Sequence, residues 1–64
     1  LNSLLIASYN AGSSAVLRHF GETKEKAIRA INAMSPQEVY NSLIQNYRSG
    51  ETREYLKRVT ENLS

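Results

Sequence analysis

A tyrosine and an asparagine that end an apolar run near the start of the chain are the side chains best placed to do chemistry. Residues 4–7 are Leu-Leu-Ile-Ala, Tyr9 and Asn10 follow closely, and Ala11-Gly12 is a natural place for a helix to stop. A phenol and an amide can each donate and accept hydrogen bonds. The pattern therefore predicts that Tyr9 and Asn10 line a cleft at the end of a buried helix.

The glutamates and the single histidine do not form a recognisable catalytic pair. A glycosidase acid needs a carboxyl whose pKa is raised by its surroundings, but all six glutamates stand in polar segments. His19 has no recognisable acidic or nucleophilic partner, and Ser13-Ser14 lack the glycines of a nucleophile elbow. No catalytic residue is assigned within this sequence. The chain has no cysteine and no metal-ligand spacing, so neither a metal nor a cofactor is expected.

Length and charge limit the range of functions. Sixty-four residues make at most one small domain. A net charge of +2 is too small to argue for nucleic-acid binding, and no apolar run approaches the roughly 18–20 residues of a membrane span. The first residue is Leu rather than Met. We therefore expect residues 1–64 to be a truncated part of a larger domain.

The apolar spacing is helical throughout and predicts an all-α chain of about five short helices. The first is expected to end at residues 10–12, and the others to span residues 14–20, 24–34, 36–46 and 51–62. Ser35-Pro36-Gln37-Glu38 combines a capping box with proline at the first helical position, which makes it the clearest boundary. Ser13 and Thr23 are expected to cap helices, and Gly21 to end one in the left-handed conformation.

The same spacing predicts which side chains are buried. The first helix carries one helical stripe (Leu1, Leu4, Leu5, Ser8 and Ala11), and the fifth carries another (Tyr55, Leu56, Val59 and Leu63). The third helix is expected to bury Ala27, Ile28, Ile31 and Met34, and the fourth to bury Val39 or Tyr40, Leu43, Ile44 and Tyr47. Tyr40 and Tyr47 are assigned to packing. Glu54 and Arg58 are expected to form an i,i+4 ion pair.

Two separated motifs resemble the lytic transglycosylases, enzymes that cleave bacterial peptidoglycan and share a fold with goose-type lysozyme (the SLT family). Residues 7–12, Ala-Ser-Tyr-Asn-Ala-Gly, are similar to the family's Ala-Ala-Tyr-Asn-Ala-Gly, with Ser8 in place of alanine. Residues 51–59 are similar to its Glu-Thr-Arg-x-Tyr-Val-x-x-Val. The segment between them, 31–36 with Val39-Tyr40, looks like the membrane-bound subgroup C in particular. The family's Glu-Ser and Gly-Leu-Met-Gln motifs, which normally lie upstream, do not occur in this sequence.

The resemblance implies that residues 1–64 are the C-terminal half of a lysozyme-like catalytic domain without its catalytic glutamate. The family cleaves the β-1,4 bond between N-acetylmuramic acid (MurNAc) and N-acetylglucosamine (GlcNAc) and leaves 1,6-anhydromuramoyl ends. The resemblance implies that peptidoglycan strands are the partner, that the location is the bacterial periplasm or cell envelope, and that nucleic acid is not a partner. A lipid anchor on the parent protein is the only expected link to a membrane. We expect this chain to be inactive alone and to expose an apolar face around Leu1, Leu4 and Leu5, through which it self-associates.

The resemblance also assigns residues to the site. Tyr9 matches the tyrosine that supports the catalytic carboxyl, and Tyr9, Asn10 and Tyr55 match residues of the substrate cleft. Glu51 and Arg53 are expected to form a structural pair or cap rather than to bind ligand.

The alternative function for the whole chain is that of a small all-helical module that binds a protein or nucleic acid. Such a module would need a self-sufficient core.

Overall fold

The computed structural model describes residues 2–63, which form five helices and contain no strand. The helices are α1 (Ser3–Ala11), α2 (Ser13–Phe20), α3 (Lys24–Asn32), α4 (Pro36–Asn46) and α5 (Gly50–Leu63). The prediction of an all-α chain is therefore confirmed, with helix ends that agree within two residues. None of these helices is both long and apolar enough to cross a membrane.

Local hydrogen bonds fix the helix starts that the sequence predicts most clearly. The Thr23 hydroxyl accepts a hydrogen bond from the Lys26 amide at 3.2 Å, which caps α3. At α4, the Glu38 amide donates to Ser35 Oγ at 3.1 Å, and the Ser35 amide donates to Glu38 Oε1 at 2.7 Å. Pro36 takes the first helical position. The predicted capping box is therefore confirmed in both of its bonds.

Two glycines are required for different reasons. Gly12 joins α1 to α2 with φ 92° and ψ 142°, a conformation that L side chains rarely adopt. It also takes the N-cap position of α2, so Ser13 is the first helical residue and the prediction that it caps was wrong. Gly21 has an extended backbone with φ −172°. The prediction that Gly21 is left-handed was therefore wrong. A Cβ there would lie 2.6 Å from the Ala27 amide nitrogen, so close packing excludes a side chain.

The core joins four of the five helices. The buried cluster consists of Ala7, Val16, Val39, Leu43, Tyr47 and Leu56. Tyr47 is only 2% exposed, which confirms its assignment to packing. Helix α3 packs mainly against α2 and contributes the fully buried Ala27. Helices α1, α4 and α5 contact one another in all three pairings, so both sequence motifs are held on one compact group of helices.

The buried face of α1 consists of small residues. Ser3 and Ala7 are its buried residues, whereas Leu5 is 66% exposed. Leu5 lies two positions from each of them, which is about 200° around a helix with 3.6 residues per turn. The exposure of Leu5 agrees with the expected apolar face, whereas Leu4 is partly buried against the core. Leu1 lies outside the described residues.

One burial prediction and one ion-pair prediction also failed. Ile28 is 42% exposed because the core side of α3 is a narrow stripe centred on Ala27. Leu63 shares a stripe with Leu56 but is 66% exposed in the last turn of α5. Glu54 pairs with Lys57 at 3.8 Å instead of with Arg58.

Candidate functional site

The two motifs meet through the side chain of Asn10. The Thr52 hydroxyl donates a hydrogen bond to Asn10 Oδ1 at 2.7 Å, and Asn10 Nδ2 donates to Glu51 Oε2 at 3.4 Å. Thr52 is 3% exposed, so its hydroxyl depends on this bond rather than on water. The amide at the end of α1 therefore anchors the first turn of α5, although 42 positions separate Asn10 from Thr52.

The start of α5 is also held from the side of α4. The Arg53 guanidinium donates a hydrogen bond to the backbone carbonyl of Tyr47, which is the C-cap residue of α4. Ser49 Oγ accepts from the Thr52 amide at 3.3 Å. Glu51 and Arg53 bond to Asn10 and Tyr47 rather than to each other, which differs from the expected pair. Together these bonds give α5 a fixed orientation relative to α1 and α4.

Tyr9 points away from the core. It is 86% exposed, although its neighbour Asn10 is half-buried. Leu5, one turn earlier on the same side of α1, is 66% exposed. We call these two residues the Leu5–Tyr9 face. It presents a phenol and an apolar side chain to the surroundings, beside the fixed junction of α1 and α5.

Tyr55 is half-buried on α5, one turn after Glu51. Residues four apart on a helix share a face, and Glu51 is turned towards Asn10. Tyr55 therefore lies on the same side of α5 as Glu51. Of the three residues predicted to line a cleft, Asn10 and Tyr55 belong to helices that are joined by the bonds of Asn10, and Tyr9 is the exposed neighbour of Asn10.

None of the six glutamates is in a position to act as a desolvated acid. All of them are exposed, and two form surface ion pairs, Glu22 with Lys26 at 4.0 Å and Glu54 with Lys57 at 3.8 Å. An exposed carboxylate is stabilised by water in its charged form. Within residues 2–63, no three His, Cys, Asp or Glu side chains are grouped so that they could hold a metal ion.

His19 has neighbours that its sequence context did not reveal. Its Nε2 lies 3.0 Å from Ser42 Oγ. Its ring packs edge-on against Phe20, with 4.8 Å between centroids, and at a tilt against Tyr47, with 5.5 Å between centroids. Burial lowers the pKa of the His19 imidazole, and a hydrogen bond with the Ser42 backbone partly opposes that effect. Ser42 lies 23 positions away, so sequence spacing gave no signal for the pair.

Comparison with known proteins identifies the class: the chain is a homologue of the membrane-bound lytic murein transglycosylases over the matched segment. Membrane-bound lytic murein transglycosylase C of Yersinia pestis (strain Pestoides F) and that of Yersinia pseudotuberculosis (serotype O:1b, strain IP 31758) are each 47% identical to it over 55 residues. The predicted resemblance is thus confirmed. The match covers 86% of this chain but only 15% of each relative. No protein-family model and no solved structure matches the chain.

Proposed function

We propose that this chain is part of a peptidoglycan lytic transglycosylase and forms one wall of its substrate cleft. The observation that carries the proposal is the junction at Asn10, where the two motifs that resemble the family bond to each other. The identity of 47% to transglycosylases C supports it independently. The reaction is cleavage of the MurNAc–GlcNAc β-1,4 bond with formation of a 1,6-anhydromuramoyl end.

The proposal places the catalytic glutamate in another, upstream part of the protein. Exposure of all six glutamates in this chain supports that placement. The glutamic acid protonates the leaving glycosidic oxygen, and the resulting carboxylate takes the proton of the muramoyl 6-hydroxyl as that oxygen attacks the anomeric carbon. One carboxyl thus serves as acid and then as base, and no water is consumed.

Tyr9 would support that carboxyl. A phenol that donates a hydrogen bond to a carboxylate favours its charged form and fixes its orientation. At 86% exposure, Tyr9 is free to approach a group supplied by another part of the protein. Leu5 on the same face supplies apolar surface for that part to cover, or for a second copy of the chain to cover when this part is absent.

Asn10 and Tyr55 would contact the glycan. The Asn10 amide has two donors and an oxygen with two lone pairs, and the bonds to Thr52 and Glu51 use one donor and one lone pair. One N–H and one lone pair remain for an acetamido group of the sugar. The half-buried Tyr55 ring would pack against the sugar or the cleft wall.

The proposed location is the bacterial cell envelope, with peptidoglycan strands as the partner. The relatives are named as membrane-bound and murein-cleaving proteins. Attachment to a membrane would come from a lipid anchor elsewhere on the protein.

A chimera tests the proposed function directly. The segment of the Yersinia pestis transglycosylase C that matches this chain is replaced by this chain, and the product is incubated with purified peptidoglycan sacculi. We expect release of anhydromuropeptides, detected by mass spectrometry. The same chimera with Tyr9→Phe should retain its fold and lose turnover, by about 10²–10⁴-fold if the phenol is required for acid–base transfer. A folded chimera without any lytic product would contradict the proposal.

The isolated chain supplies the matched control. Because it lacks a desolvated acid, we expect no anhydromuropeptides when it is added to sacculi alone. Release of these products by the chain itself would disprove the placement of the acid elsewhere. The alternative of a nucleic-acid-binding module predicts instead that the chain binds DNA with an affinity that falls steeply with salt.

A further inference from the structure

A cavity between α2 and the turn after α4 is lined by two arginines that form no ion pair with a carboxylate within residues 2–63. It has a volume of about 140 Å³ and is lined by Ala15, Arg18, His19, Asn46, Tyr47 and Arg48. Arg18 and Arg48 are both exposed, and neither belongs to the ion pairs formed within residues 2–63. A guanidinium group binds a carboxylate through two parallel N–H donors. The cavity therefore offers strong donors that the chain itself does not use.

The surrounding charges favour an anion. The carbonyl of Tyr47, which ends α4 beside the cavity, accepts a hydrogen bond from the Arg53 guanidinium. The Arg53 guanidinium offsets the partial negative charge of the helix C-terminus. It is also a third cation at the same turn. The acids nearest in sequence to the two arginines, Glu22 and Glu51, bond to Lys26 and Asn10 instead.

The walls between the arginines are mostly apolar. They consist of the Ala15 methyl group and the rings of His19 and Tyr47, whose centroids lie 5.5 Å apart. His19 adds no charge near neutral pH, because burial lowers the pKa of its imidazole. A cavity of about 150 Å³ holds a molecule the size of benzene, so this cavity accepts a small body or one end of a larger ligand.

We propose that this cavity binds the carboxylate of a ligand with a compact apolar body, either a free short-chain acid or the C-terminal residue of a peptide. Arg18 and Arg48 hold the carboxylate, and the ligand's apolar group lies between Ala15 and the two rings. The inference does not depend on the proposed function, because it is argued from the cavity and its charges. The cavity is too small for a disaccharide and is formed by other residues than the predicted glycan contacts.

Titration of the 64-residue chain with three probes tests the site: propionate, N-acetyl-alanyl-alanine and the C-terminal amide of that dipeptide. The ring protons of His19, the only histidine, report binding by nuclear magnetic resonance at fixed pH and ionic strength. We expect saturable shifts with both carboxylates and none with the amide. Tighter binding of the dipeptide identifies a peptide end as the source, and tighter binding of propionate identifies a free acid. Absence of saturation with both acids, or equal binding of the amide, would overturn the site.

Variants separate this site from general attraction of anions. Arg18→Gln and Arg48→Gln should each weaken binding about tenfold, as expected for loss of hydrogen bonds to a charged group. Ala15→Leu should abolish binding by filling the cavity without changing the charge. Arg29→Gln is the matched control, since Arg29 is exposed on α3 and does not line the cavity. If Arg29→Gln weakened binding as much as the other two, the site would be disproved. Circular dichroism verifies folding, and if Ala15→Leu does not fold, the arginine variants decide.

Discussion

At the scale of single residues, the side chains with distant partners are those whose roles could not be predicted. The sequence marks Tyr9 and Asn10 as candidates because a short motif contains both. It does not show that Asn10 bonds to Thr52 while Tyr9 is left exposed, because neighbours in sequence project from a helix about 100° apart. The packing of His19 against Ser42 and Tyr47 was missed because these partners lie far from His19 in the sequence.

His19 makes the stability of the chain depend on pH. Its pKa is lowered in the folded chain, so the unfolded chain binds the proton more readily. Folding stability is therefore complete above the unfolded value of 6.5 and falls as pH decreases through 6.5 to the lower folded value. We expect His19→Gln to remove this loss. Thermal melts between pH 8 and pH 5 should show the wild-type chain weakening relative to the variant below pH 6.5. Parallel pH profiles of the two chains would refute this role of His19.

At the scale of helices, local signals predicted boundaries and tertiary contacts decided the exceptions. The capping box at Ser35 and Glu38 lies within four residues and was predicted in full. Gly21 was assigned the wrong conformation because its requirement comes from Ala27 on the next helix. Leu4 and Leu5 share one helical stripe in the sequence, and only the packing of the helices shows that Leu4 lies against the core while Leu5 is exposed.

The junction of α1 with α5 can be tested by a double-mutant cycle on Asn10 and Thr52. Asn10→Ala leaves the buried Thr52 hydroxyl without its acceptor, which should lower the free energy of unfolding by about 1–3 kcal/mol. Thr52→Val removes the donor, and the double variant should lose less than the sum, with a coupling of about 0.5–1.5 kcal/mol. Urea denaturation followed by circular dichroism measures all four chains. Additive losses would show that the bond contributes nothing to the junction.

At the scale of the whole molecule, stability rests on a small core. Chains of about 60 residues bury only about 60% of their unfolded surface, so each buried side chain matters. Leu43 and Leu56 are 1% and 0% exposed, and the larger Tyr47 is 2% exposed. Hydrophobic spacing predicted the burial of Leu43 and placed Leu56 in the middle of the stripe on α5. Leu63, at the end of that stripe, is 66% exposed.

Leu56→Ala should therefore destabilise the chain strongly. Loss of a fully buried leucine costs about 2–5 kcal/mol, which is much of the stability of a chain this small. Leu63→Ala is the matched control, because it removes the same atoms from a side chain that is 66% exposed, and should change stability by less than about 0.5 kcal/mol. The free energy of unfolding in urea gives both values. Equal losses in the two variants would contradict the position of the core described above.

The bond between Asn10 and Thr52 can form only after both residues have been synthesised. The ribosome adds about 5–20 residues each second, so the 42 positions between the two residues take about 2–8 s to make. During that interval α1 has been made but its partner on α5 has not. Within residues 2–63, the surface around Tyr9 is thus made early but is among the last parts to acquire its final geometry. A nascent chain stopped after α4 would carry the first motif without the contact that fixes it.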